Sequence, residues 1–296
     1  MRKWIYLVFG IVLISSLGFV AYRSDQPVQP QSTVDWEGVL QNRGLTRESF
    51  FVDSGGMQLE AELVALPDGP QGKPVIIFIP GSGSTTYQAY APGLIEEFVL
   101  DVFIPRGYAV VFYNKRGMGR SEGSWMKNDF PGRAGDVLAV ADHVRGLPGI
   151  DPGRVGLIGH SQGGWIANLA AARDESTAFF ISLAGPLTSV QEQMVDIYTN
   201  DFRCQGFEGQ ELEKRVDRQL DLARLGAAIG RVLRIGVIGF DSGIIDYDPR
   251  ETVLSVAAPG LFVFGDHDPY VPAGHNLERF AELFPAGSED LTVIAV

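Results

Sequence analysis

Cysteine and histidine are scarce in this sequence, which contains one cysteine and four histidines among 296 residues. The single thiol, Cys204, excludes a disulfide within the chain. Basic residues are also outnumbered, because 24 lysines and arginines face 36 aspartates and glutamates, for a formal net charge of −12. This balance argues against nucleic acid and anionic membrane surfaces as partners. Nothing in the sequence calls for a cofactor, and no remote ligand cluster accompanies Asp266-His267-Asp268, so no metal is expected.

The N-terminus carries an apolar stretch, residues 4–22, that contains no charge. As a helix it would span about 28 Å, close to the hydrocarbon thickness of a bilayer. With Arg2 and Lys3 before it, the stretch predicts a membrane anchor in residues 1–22 and a domain on the extracytoplasmic side. A cleaved signal peptide, which would make the protein secreted, is the alternative. Residues 23–47 are rich in Pro, Gln and Ser and predict a linker.

From residue 48 to residue 296, apolar runs alternate with helical patterns. A hairpin is predicted around Ser54-Gly55-Gly56. Further strands are predicted at 73–80, 108–113, 154–159, 178–183, 260–265 and 291–296, and helices at 86–104, 131–147, 165–172 and 273–284. This alternation indicates an α/β fold with a doubly wound, mostly parallel sheet. Residues of about 187–250 interrupt it with charged, helical sequence, which predicts a helical cap over the C-terminal edge of the sheet.

The strand predicted at 154–159 runs into Gly159-His160-Ser161-Gln162-Gly163, and a helical pattern follows at once. Strand, sharp turn and helix are the order of a nucleophile elbow, with glycines where side chains would collide. The helix start also aims free N–H groups at Ser161, where an oxyanion would form. Ser161 is therefore the predicted nucleophile, and an ordinary serine in a tight turn is the alternative.

Two further loops complete the predicted site. Pro80-Gly81-Ser82-Gly83-Ser84 follows a neighbouring strand, and the backbone N–H groups of Ser82 and Gln162 are the predicted oxyanion donors. A plain flexible loop is the alternative at 80–84, since no Gly-Lys-Ser/Thr follows that would favour a phosphate cradle. Asp268, in the loop after the strand at 260–265, is the predicted catalytic acid, and Asp266 is interpreted as a turn residue.

Together these motifs resemble the α/β-hydrolase superfamily, near the serine-aminopeptidase-like and dienelactone-hydrolase-like esterases. The segment Asn114-Lys115-Arg116-Gly117-Met118-Gly119-Arg120-Ser121 is similar to that superfamily's Asp-x-Arg-Gly-x-Gly-x-Ser turn, with Asn114 in place of Asp. The resemblance covers roughly residues 48–296. It implies a Ser–Asp–His triad, a small-molecule acyl substrate, and hydrolysis of an ester, thioester or amide.

The histidine departs from this pattern, because the resemblance implies a position after the last strand, and the sequence stops there. The four histidines present are poor substitutes: His143, His160, His267 and His275. We therefore expect a sequence truncated before its catalytic histidine, with a rearranged base such as His275 as the alternative.

The predicted function is a serine hydrolase that cleaves carboxylic esters or thioesters through an acyl-enzyme on Ser161. A peptidase or acyltransferase with the same triad, or a non-catalytic binding protein on a hydrolase fold, are the other interpretations.

Overall fold

The computed structural model describes residues 34–67, 71–233 and 243–296. The strands are β1 (Thr46–Ser54), β2 (Met57–Ala65), β3 (Lys73–Ile79), β4 (Ala109–Tyr113), β5 (Ile150–His160), β6 (Phe180–Leu183), β7 (Gly260–Phe264) and β8 (Leu291–Ala295). The main helices are α1 (Trp36–Asn42), α2 (Phe130–Arg145), α3 (Gln162–Ala171), α4 (Val190–Cys204), α5 (Gly209–Leu233), α6 (Arg250–Ser255) and α7 (Ala273–Leu283). Shorter helical turns are Tyr87–Tyr90, Ala91–Leu100, Asp101–Phe103, Ile104–Arg106 and Trp125–Lys127.

The strands form one eight-stranded sheet in the order β1-β2-β4-β3-β5-β6-β7-β8. β2 is antiparallel to both β1 and β4, and the remaining pairs are parallel. The predicted hairpin is present, with Ser54 paired to Met57. The fold is thus the predicted mostly parallel, doubly wound α/β sheet. Because β3 and β5 are central neighbours, the loops that follow them meet at the C-terminal edge.

The two faces of the sheet are buried in separate clusters. Along β3, residues Val75, Ile77 and Ile79 belong to one cluster, whereas Ile76 and Phe78 belong to the other. This alternation follows from the two-residue period of a strand. Helices α2 and α3 cover the first face, and α1 with residues 87–104 covers the second. A continuous apolar run is therefore what a central strand such as β3 requires.

Helix α1 lies inside the range predicted as linker. Asp35 caps it by accepting from the Gly38 N–H at 2.9 Å. Trp36 then packs edge-on against Phe112, with ring centroids 5.3 Å apart, and its indole N–H donates to Glu62 Oε1 at 2.5 Å. The folded domain therefore includes α1 and does not begin at residue 48. The burial of Trp36 against the sheet provides the physical reason, since a solvated linker would leave that indole exposed.

The helix predicted at 86–104 is also interrupted. Pro92 has an extended ψ of 118°, and Gly93 has φ 81° and ψ −82°, so the helical path breaks between them. Only glycine adopts such a φ without strain.

The predicted cap, residues of about 187–250, contains α4 and α5, and α6 follows it before β7. Ser189 begins α4 with a reciprocal capping box, in which Glu192 also binds the Ser189 N–H. The anchor or signal peptide predicted for residues 1–22 lies outside the described residues. Within the described part of the chain, no helix is both long and apolar enough to cross a membrane.

Candidate active site

Ser161 sits at the turn between β5 and α3 with φ 53° and ψ −124°. An L-residue rarely adopts this backbone conformation, and it persists only where its surroundings hold it. The Ser161 N–H donates to Leu183 O at 2.8 Å, and the Ser161 carbonyl accepts from the Gly164 N–H at 2.8 Å. The strained turn is therefore tied to β6 on one side and to α3 on the other.

The glycines around Ser161 are required by close packing. A Cβ on Gly159 would collide with the carbonyl oxygen of Gly163. A Cβ on Gly163 would collide with the carbonyl oxygen of Ile79, at the end of β3. The predicted steric reason for the Gly-x-Ser-x-Gly spacing is thus present in the structure. The packing brings the end of β3, and the loop that follows it, directly against the elbow.

The loop at residues 80–84 lies beside the serine, as predicted. A Cβ built on Gly81 would lie 3.4 Å from the Ser161 Cβ and 3.1 Å from the His160 carbonyl oxygen. Ser82, Ser161 and Gln162 line the same cavity. Gln162 is the first residue of α3, so its N–H has no acceptor within the helix. The two predicted donor residues therefore flank the serine at the positive end of a ten-residue helix.

Asp268 lies in the loop between β7 and α7. Its Oδ1 accepts from the Tyr270 N–H at 2.8 Å and from the Val271 N–H at 3.0 Å. Burial lowers the pKa of His160, and the charge of Asp268 partly opposes this effect. The carboxylate is therefore within electrostatic reach of the residue that precedes Ser161. The structure brings the acid loop to the elbow, although Asp268 is not among the cavity-lining residues.

None of the four histidines, all within the described residues, lines the cavity that contains Ser161. His143 stacks on Phe50 with ring centroids 4.8 Å apart, and His267 is exposed. His275 pairs instead with Asp196 of the cap, with Nδ1 2.9 Å from Oδ2. His160 packs edge-on against Tyr90, and its Nδ1 is buried without a hydrogen-bond partner. His275, the alternative base considered from sequence, is therefore engaged elsewhere.

The cavity over Ser161 has a volume of about 450 Å³. Its walls are supplied by the loop at 80–84, the elbow, both ends of the cap insertion and the end of the acid loop. Its lining is Ser82, Gly83, Trp125, Ser161, Gln162, Trp165, Pro186, Val190, Gln193, Met194, Ile197, Ile244, Ile245, Tyr270 and Val271. No charged side chain is among them. The cavity can therefore hold an uncharged, mainly apolar group against the serine hydroxyl.

Two buried cations near the site were missed by the sequence analysis. Lys115 and Arg133 are each 2% exposed and lie behind the loop at 80–84. Lys115 occurs in the turn that was interpreted as structural, and Arg133 lies on α2 within an unremarkable helical pattern. A basic residue at an otherwise buried helix position was the available signal. By contrast, Arg116 joins β1 to α2 through Ser54 and Asp136, the loop-tying role expected for it.

No group of three or more histidine, cysteine, aspartate or glutamate side chains within the described ranges could hold a metal ion.

The strained serine at a strand-to-helix turn, beneath a helical cap on a mostly parallel sheet, defines an α/β-hydrolase enzyme. The chain belongs to the X-Pro dipeptidyl-peptidase (S15) family, whose family model matches residues 22–221. The match includes β1 to β6, the elbow and the first cap helix.

Solved structures with similar folds include several esterases and hydrolases. The esterase Pf2001 of Pyrococcus furiosus has a TM-score of 0.62 at 13% identity, over 92% of this chain and 88% of that one. Est1E of Butyrivibrio proteoclasticus, solved with ferulic acid, has a TM-score of 0.55 at 18% identity, over 83% and 88%. A hypothetical protein of Pseudomonas aeruginosa has a TM-score of 0.61 at 16% identity, over 91% of each chain. At these identities the likeness establishes the shared fold.

Proposed function

We propose that this enzyme hydrolyses carboxylic esters or thioesters of an uncharged, apolar acyl group through an acyl-enzyme on Ser161. The observation that carries the proposal is the cavity of about 450 Å³ over Ser161, in which none of the described lining residues is charged. Such a cavity binds an aryl or alkyl group by burying its surface and presents its carbonyl to the serine.

The proposed reaction begins when Ser161 Oγ attacks the acyl carbon while a base removes the hydroxyl proton. The carbonyl oxygen becomes a tetrahedral oxyanion, which receives hydrogen bonds from the N–H groups of Ser82 and Gln162. The alcohol or thiol then leaves with that proton, and water hydrolyses the acyl-enzyme by the same steps. Asp268, with two backbone N–H groups holding one of its oxygens, orients the base.

We assign the base to a histidine other than the four in this sequence, because none of these four lines the cavity over Ser161. The end of β8 supports this assignment, since the Asp266 N–H donates to the Val296 carbonyl at 2.8 Å, beside the acid loop. A histidine following β8 would enter next to Asp268. Reading the coding frame past Val296 tests the assignment, and a histidine within about ten residues is the expected result.

The extracytoplasmic location stays a prediction from residues 1–22.

Peptidase activity is the second candidate, and the S15 family match favours it. A dipeptidyl-peptidase must hold the free α-ammonium group of its substrate near the nucleophile. An unpaired ammonium group in an apolar cavity is strongly disfavoured, so a carboxylate would be needed to pair with it. Of the described residues that line the cavity, none carries a carboxylate. Among the residues that the structure describes, the lining therefore favours a neutral acyl substrate.

The test uses the longest natural form of the chain, labelled with a fluorophosphonate and assayed with short-chain aryl esters and with X-Pro anilides. Ser161→Ala should abolish labelling and lower ester turnover by about a millionfold, because the nucleophile is lost. Ser255→Ala, at an exposed serine on α6, is the matched control and should behave as wild type. Labelling that survives Ser161→Ala would refute the nucleophile, and a preference for the X-Pro anilide would refute the substrate class.

A further inference from the structure

The loop that carries Ser82 is bound from behind by two buried cations. Lys115 Nζ donates to the Gly81 carbonyl at 2.7 Å. Arg133 Nη2 donates to the same carbonyl at 3.4 Å and to the Pro80 carbonyl at 3.3 Å. The other arm of Arg133, Nη1, donates to the side-chain oxygen of Gln162. A single guanidinium group therefore connects the loop after β3 to the first residue of α3.

The direction of the Gly81 carbonyl determines the direction of the next N–H. No cis peptide bond occurs in the described chain, so the Gly81–Ser82 peptide is trans. In a planar trans peptide, the C=O and N–H bonds point in opposite directions. A carbonyl held toward Lys115 and Arg133 therefore turns the Ser82 N–H away from them. A Cβ on Gly81 would lie 3.4 Å from the Ser161 Cβ, so the Gly81–Ser82 peptide lies directly beside the elbow.

We propose that Lys115 and Arg133 are positioning residues that orient the Ser82 N–H and fix Gln162, so that both oxyanion donors face Ser161 before substrate binds. This inference rests on the proposed function, in which those two N–H groups receive the oxyanion. Neither cation lines the cavity, so neither touches the substrate. They act through the loop, by keeping it from rotating its peptide dipole out of position when charge develops on the substrate oxygen.

The chemistry of the two cations supports a functional role over a stabilising one. Their hydrogen-bond acceptors are carbonyl and amide oxygens, and no carboxylate is among them. Burial lowers the pKa of Lys115 well below its usual range, and the charge of Arg133 lowers it further. Burial also lowers the pKa of Arg133, although Tyr113, Tyr90 and Asp136 oppose this effect. A buried charge with no hydrogen-bonded carboxylate disfavours folding, so a compensating benefit in the reaction explains its presence.

The proposal predicts a loss in kcat and in oxyanion affinity, with ground-state binding preserved. In the longest natural form of the chain, Lys115→Met and Arg133→Met should lower kcat for an aryl ester by about 10- to 100-fold, with KM within about twofold. The inhibition constant of phenylboronic acid, whose adduct with a serine is tetrahedral and anionic, should rise by about tenfold or more. That of benzamide, which is planar and neutral, should stay within about twofold.

Matched controls are Lys73→Met and Arg173→Met, because these side chains also bind backbone carbonyls, at Leu66 and Pro131 respectively. They should leave all four constants at wild-type values. Arg133→Lys is a milder second variant, because one ammonium group cannot replace the forked contact to the loop at 80–84 and to Gln162. It should give a smaller kcat loss with the same unchanged KM, and circular dichroism should show that each variant is folded.

The inference is overturned if the folded variants keep wild-type kcat, or if phenylboronic acid and benzamide lose affinity equally. Equal losses would indicate a general disturbance of the cavity, as expected for a purely structural role. If the wild-type chain neither hydrolyses esters nor binds phenylboronic acid, the proposed function fails and this inference fails with it. If the wild-type chain is active and the folded variants keep its kcat, only the positioning role is refuted.

Discussion

The substitution Asn114→Asp should destabilise the protein, although Asp is the residue that the resembled turn usually carries. Asn114 is 1% exposed, and both ends of its amide are used. Its Oδ1 accepts from the Tyr87 N–H at 3.1 Å, and its Nδ2 donates to Glu60 Oε2 at 2.9 Å. An aspartate would place a second carboxylate oxygen against Glu60. The asparagine is thus matched to the glutamate on β2.

The magnitude follows from two competing energies. Two unit charges about 2.9 Å apart repel by roughly 6 kcal/mol at an effective dielectric constant of about 20. Protonating a carboxyl of pKa about 3.9 at pH 7 costs about 4 kcal/mol, so the pair would bind a proton instead. Arg120, which donates to both oxygens of Glu60, offsets part of this penalty. We expect a loss of about 3 kcal/mol in the free energy of unfolding at pH 7.

The substitution should reverse the direction in which this site makes the free energy of unfolding depend on pH. In the wild type, burial would raise the pKa of Glu60, but hydrogen bonds from the Arg120 backbone and side chain and from Asn114 outweigh it and lower the pKa. Glu60 therefore contributes stability above its unfolded pKa, and this stability is lost as pH falls through the folded pKa. In Asn114→Asp, the two neighbouring carboxyl groups share one proton. This sharing raises the folded-state pKa of one of them above its unfolded value. The variant should approach wild-type stability in acid and lose stability as pH rises through that raised value.

Urea denaturation between pH 4.5 and pH 8 measures the effect, with the double variant Asn114→Asp/Glu60→Gln closing a thermodynamic cycle. A Gln at position 60 can donate to the new carboxylate, so the double variant should recover about 2 kcal/mol. An equal loss at every pH, or no coupling between the two positions, would refute the explanation by carboxylate repulsion.

Two further substitutions test the elbow and the acid loop. Gly163→Ala should lower the free energy of unfolding by about 3 kcal/mol or more, because the new methyl group meets the Ile79 carbonyl. Its control in thermal unfolding is Gly135→Ala, at a helical position with no atom within 4 Å, which should be neutral or stabilising by up to about 1 kcal/mol; similar midpoints for the two variants would contradict the packing argument. Asp268→Asn should lower kcat by about 10⁴-fold by removing the negative charge that orients the base. Asp266→Asn, at an exposed neighbouring carboxylate, should keep wild-type ester turnover, and the reverse pattern would assign the acid role to Asp266.

Much of the fold was predictable because its signals are local. The apolar run in β3 and the alternation around Ser54-Gly55-Gly56 depend only on neighbouring residues, and both elements are present. The elbow was predictable for the same reason, since its steric demands act between residues a few positions apart. Helix α1 was missed because Pro and Gln before it dominate the composition. Its Asp35 cap and the i, i+4 pair Trp36 and Leu40 were the available signal.

The candidate site was likewise predictable only where its signals are local. The sequence by itself determined the order of the elements, the strained turn at Ser161, and the loops that carry Ser82 and Asp268. Only the tertiary structure decided that Lys115 and Arg133 bind Gly81, from 34 and 52 positions away. Spacing along the chain fixes a local turn, but a contact over that distance exists only once β3 lies between β4 and β5. The nucleophile is therefore readable as a motif, whereas the buried charges behind its oxyanion loop emerge only from the order of strands in the sheet.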